Sequence, residues 1–131
     1  MKPHQFPHMK NKSHSDEMTP AQIMQGLQEK NRMLTQKNGE YLDLAERRAS
    51  KERSYNMAVA EKTLRLQADG YSVTLMQSIV KGDPNVSKAK YELDIAQAVE
   101  KACLESIKDL RSAIDTYRSL LAWLKAELQS Q

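Results

Sequence analysis

Val86, Ala89, Leu93, Ala96, Glu100, Cys103, Ile107, Leu110, Ile114, Tyr117, Leu121, Leu124 and Leu128 follow one another in alternating steps of three and four residues, without a phase slip. That spacing places every one of these positions on one side of an α-helix and on no single side of a strand. Asp83-Pro84 supplies a cap followed by a first-turn proline, so the helix starts there and runs over about 84–129. Its length is roughly 65–70 Å at 1.5 Å per residue. An apolar stripe of that length must be covered by something of similar length.

The chain offers a match. Thr19-Pro20-Ala21-Gln22 reads as a capping box with proline at the first helical position. Leu27, Leu34, Tyr41, Arg48, Tyr55 and Lys62 then recur every seven residues, with Met24, Asn31, Asn38, Ala45, Glu52, Val59 and Leu66 as companions three residues earlier. This helix is predicted over about 20–68, where Asp69-Gly70 terminates it. Asn38-Gly39 is a turn signal inside it, yet the phase passes from Leu34 to Tyr41 unbroken, which favours a continuous or slightly kinked helix. Between the helices lies an elbow over 69–83. Its segment Tyr71–Lys81 is apolar and rich in β-branched residues, so strand and helix both fit; as a helix it would be capped by Ser72 and closed by Gly82.

Two helices of matched length around a short elbow predict an all-α fold, an antiparallel coiled-coil hairpin over residues 19–131. With the ends level, Leu27 lies near Leu124, Leu34 near Tyr117 and Leu121, and Tyr55 near Ala96. Val99, Ala113 and Leu120 widen the last helix's stripe, and Leu104 and Trp123 lie farther round. A stripe that wide faces more than one partner helix, so a homodimer of two hairpins in a four-helix bundle is expected.

Composition sets the limits. With 28% charged and 5% aromatic residues, the 131-residue chain lacks the material for a large compact core, and 4 Gly and 4 Pro are too few for a mostly disordered one. Lys+Arg 20 against Asp+Glu 17 is a small surplus that permits nucleic-acid binding without implying it. The single cysteine excludes an intramolecular disulfide and any cysteine cluster, as in a reducing compartment. No apolar run approaches the roughly 18 residues of a membrane span, and the start lacks a signal-peptide core. A cytoplasmic protein without membrane contact is expected. Residues 1–18 read as a flexible tail, and its His4, His8 and His14, separated by Pro and Lys, have no fixed ligand geometry. Neither a metal nor a cofactor is predicted.

No histidine lies outside the tail, and there is neither a glycine-rich phosphate loop nor a recognisable nucleophile; the expectation is a protein that is not an enzyme. Cys103 falls on the apolar seam as a packed thiol. Glu100 occupies a core position and needs a cation or hydroxyl across the hairpin, with Arg48 and Tyr55 in reach. Asn31 and Asn38 read as polar seam layers that select register and partner number. Arg47, Arg48, Lys51 and Arg53 form the densest basic stretch, a candidate nucleic-acid site or else a charge-mixed helix face. Arg111, Arg118 and Lys125 flank the last seam, within reach of Glu40, Asp43 or Glu29. Tyr71, Val73, Leu75, Met76 and Ile79 of the elbow are the candidate partner-binding patch, unless they pack against the hairpin end.

The elbow, Leu64 to Asp83, with its Gly-Tyr-Ser-Val-Thr and Lys-Gly-Asp sequences, and the long helix after it resemble a group of small helical early-region proteins of bacteriophages and prophages of Gram-positive bacteria. The resemblance covers roughly residues 20–128. It implies a non-catalytic accessory role, in phage DNA recombination or replication or in countering a host defence, through contact with a phage or host protein. No functional residue carries over from that group.

Overall fold

The computed structural model describes residues 18–130. The tail expected over 1–18, with His4, His8 and His14, lies outside them except for Met18, which is exposed. Among the described residues there are three helices and no strand: α1 (Pro20–Ala68), α2 (Val73–Gly82) and α3 (Pro84–Ser130). The chain is therefore all-α, and none of these helices is long and apolar enough to cross a membrane.

Local chemistry sets each boundary. The Thr19 amide donates to Gln22 Oε1 at 2.9 Å and the Gln22 amide to Thr19 Oγ1 at 3.2 Å, a reciprocal capping box that satisfies two orphan donors. α1 then passes through Asn38-Gly39 without a break. It ends where the Gly70 amide reaches the Gln67 carbonyl and the Tyr71 amide the Leu66 carbonyl, a Schellman closure that requires the left-handed backbone Gly70 adopts at φ +82°. Ser72 caps α2 by accepting from the Leu75 amide, which resolves the elbow as helix. A single residue, Asp83, joins α2 to α3. Its amide donates to Val80 O, closing α2, while its side chain accepts from the Asn85 and Val86 amides, opening α3.

The chain forms two compact units, one of Thr35–Lys108 and the other of the residues up to Leu34 with those from Asp109 onward. In the second of these, Ile23, Leu110 and Ile114 are buried, and the Tyr117 ring lies against Gly26, where a Cβ would come within 2.7 Å of it. In the Thr35–Lys108 unit, Leu66, Met76, Val80 and Val86 form a core that Tyr55, Ala58, Val59 and Ile79 extend. Farther along, the Cys103 thiol donates to the Lys37 carbonyl, Arg48 meets Glu100, Lys51 meets Glu92 and Lys62 meets Asp83. Partner numbers thus fall along α3 as they rise along α1.

Two sequence expectations need correction. On α3 the predicted seam is inward-facing from Val86 to Leu124, and only Leu128 at its end is exposed. On α1 the companion position holds only in part: Ala45, Val59 and Leu66 are covered but Met24, Asn31, Asn38 and Glu52 are exposed, while Ile23, Lys30, Lys37, Leu44, Lys51 and Ala58 are wholly or partly covered. The covered face of α1 therefore includes the residue four before each heptad residue, and the one three before it only at Ala45, Val59 and Leu66. Lysine disguises this position, because its apolar stem covers a neighbour while its ammonium reaches water. The two asparagines stand on the exposed side of α1. The level-ended register is the second correction: Tyr117 meets Gly26, about two turns before Leu34. The cause is α2. It is a helix folded onto α1, so α3 begins beside Lys62 and not level with the end of α1.

Candidate functional site

Where α2 folds onto α1, a groove of about 750 Å³ runs between them. α1 contributes Tyr55, Val59, Thr63 and Gln67. Steps of four overshoot the 3.6-residue turn, so this row winds off the covered face toward solvent, from half-buried Tyr55 and Val59 to exposed Gln67. α2 places Met76 and Val80 one turn apart against the core, and its Val73, Thr74, Gln77, Ser78 and Lys81 line the groove as exposed residues. Thr63 Oγ1 donates to the Val59 carbonyl at 2.7 Å, so its hydroxyl hydrogen is spent within its own helix.

The lining is apolar at its floor and carries amides and hydroxyls at its rim. Lys81 is its only charged side chain and has no ion-pair partner among the described residues. Nothing there pairs a nucleophile with a base, and no group of three or more His, Cys, Asp or Glu among the described residues could hold a metal ion. What such a lining can do is hold apolar side chains and give hydrogen bonds to a polar edge.

The elbow patch divides. Tyr71, Val73 and Leu75 are exposed, Val73 by 68%; Ile79 is half-buried against the core, and Met76, with 6% exposure, belongs to it. Met76 thus lies in the core and at the floor of the groove, apart from the exposed patch. Its spacing of four from Val80 puts both on the face that α2 turns inward. The groove residues Thr63, Gln67, Thr74, Gln77 and Ser78 escape sequence reading because uncharged polar residues at helical spacing carry no motif, and Lys81 escapes it as a lone cation on a short helix. The Ser72 cap and the Gly82 stop were the available signals, since they define α2 and hence its two faces.

The basic stretch is broken up by acids. Arg48 donates to Glu100 at 2.7 Å and to Glu52 at 2.9 Å, and these two carboxylates hold its guanidinium more firmly in the charged form, Glu100 foremost. Lys51 pairs with Glu92. Only Arg47 and Arg53 remain exposed and without an ion-pair partner among the described residues, which is half the cationic footprint the sequence offers. Arg111, Arg118 and Lys125 make none of the pairs expected of them: Glu29 bonds Arg32 and Glu40 bonds Lys37, each on its own helix. Cys103 is buried.

At the joint between α2 and α3, Asp83 is held below the usual carboxylate range, chiefly by the hydrogen bond from the Val86 amide, with Lys62 acting in the same direction and burial opposing it. Asp83 thereby ties the C-terminal end of α2 to both long helices. Comparison with protein-family models, with curated proteins and with solved structures found no match to this chain.

Proposed function

We propose that this chain is a non-catalytic accessory protein of the phage and prophage type, acting by contact with a phage or host protein, and that the elbow carries the contact. One observation supports this above the others: Tyr71, Val73 and Leu75 expose apolar side chains beside an open groove at the joint of the three helices. Such exposure at a built surface is what a partner covers. The long helices act as an antiparallel coiled-coil hairpin, and two copies associate as a homodimer. Ile95, Val99, Leu104, Leu120 and Trp123, all exposed on α3, supply apolar area for that association.

Affinity capture of the intact protein from phage-infected and uninfected cells, with and without nuclease, tests the reading. A stoichiometric protein partner that resists nuclease is the expected result. A capture that nuclease abolishes would transfer the function to nucleic acid and to Arg47 and Arg53, and capture of nothing would remove the interaction reading.

A further inference from the structure

We infer that the groove between α1 and α2 receives an amphipathic helix of the partner whose flank is acidic. This rests on the reading of the elbow as a partner site and adds the partner's chemistry. The α1 wall from Tyr55 to Gln67 is about 18 Å long at 1.5 Å per residue, and the ten residues of α2 face it over about 15 Å. A trough of that length with two helical walls has the form that takes anchors at i, i+3, i+4 and i+7 of a third helix. Val59, Met76 and Val80 offer the apolar floor for those anchors, and Val73 the apolar lip.

Charge selects the occupant. No carboxylate lines the groove, and Lys81 stands exposed at its edge without a counter-ion among the described residues. The neighbouring ammonium of Lys90, 5.5 Å from the centre of the Tyr55 ring, already pairs with Asp94 on its own helix. The uncompensated charge of the site is therefore the single positive one of Lys81. An Asp or Glu beside the anchors would form a charge-assisted hydrogen bond with it, whereas a basic flank would be repelled.

The test uses two synthetic helical peptides of about 14 residues with the same Leu/Ile face, one with a Glu flank and one with a Lys flank, titrated into the full-length protein. The acidic peptide should bind at least about tenfold more tightly at low salt, a difference of about 1.4 kcal/mol. It should shift the amide resonances of Thr74, Gln77 and Lys81. Lys81→Glu, at an exposed position, should leave the circular dichroism unchanged and reverse the preference. Equal binding of both peptides, shifts confined to the Arg47 and Arg53 face, or indifference to Lys81→Glu would each overturn the assignment. If a nuclease-resistant cellular partner is captured equally by the protein and by Lys81→Glu, the groove assignment falls while the partner reading stands. If the acidic peptide binds the groove but cells yield no partner, the assignment stands and the accessory-protein reading falls.

Discussion

Three glycines, two inside α1 and one in its closing turn, should respond to alanine with different signs, because each is glycine for a different reason. At Gly39 nothing lies within 4 Å of an added Cβ and the backbone is helical, so Gly39→Ala should stabilise the protein by about 0.5–1 kcal/mol through helix propensity. Gly70 is equally open, but its φ of +82° is strained for any side chain. Gly70→Ala should therefore cost about 1–2 kcal/mol. Gly26→Ala gains propensity but drives its methyl into the Tyr117 ring, and a lower melting temperature is expected. Thermal melts of the three variants decide the matter, and a uniform sign would contradict these local geometries. Asp83 gives a pH signature at the same scale. Its carboxyl lies below its ordinary value of 3.8, so the folded state binds the proton less tightly than the unfolded one. The stability it confers is complete above that value and is lost as pH falls through the lower folded pKa. Asp83→Asn keeps a cap acceptor without the charge. Its deficit in melting temperature should be constant near neutrality and close as pH drops below about 4.

Among the elements, α3 was legible and α1 only half so. The α3 seam is built from Val, Leu, Ile and Ala, whose burial is the reason they are there, and it survives from Val86 to Leu124. α1 covers its own seam partly with Lys30, Lys37 and Lys51, which pattern reading counts as surface, so the pattern points to Asn31 and Asn38 in their stead. Register was illegible for another reason: it depends on how far α2 folds back along α1, a tertiary fact that no local spacing encodes. The candidate site suffered likewise. Tyr71, Val73 and Leu75 stand out as apolar residues in a short segment, but only the folded position of α2 separates them from Met76 and reveals Lys81 as the groove's charge. The two faces of α2 should differ sharply under mutation. Met76→Ala should cost about 2–4 kcal/mol as a core truncation, while Leu75→Ala should stay within about 0.5 kcal/mol, both measured by denaturant unfolding. Arg48 and Glu100 should also respond unequally. Glu100→Leu leaves Arg48 bonded to Glu52 and should hold or raise the melting temperature. Arg48→Leu strands a carboxylate whose side chain is only 18% exposed and should lower it; equal losses would show that the pair is no more than a surface contact.

For the whole molecule, the proposal is an association of copies that leaves the partner site at the elbow open. Light scattering at micromolar concentration should give the mass of a dimer; a monodisperse monomer would assign the exposed apolar residues of α3 to another partner. The central claim is that the elbow, and not the basic stretch, makes the biological contact. The most direct measurement is quantitative capture under nuclease with three proteins side by side: the unmodified chain, Val73→Glu/Leu75→Glu, and Arg47→Glu/Arg53→Glu. All four altered positions are exposed, so the variants should share the parent's circular dichroism and melting behaviour. The elbow variant should lose its partner and the arginine variant should keep it. Retention by the elbow variant with loss by the arginine variant would contradict that claim.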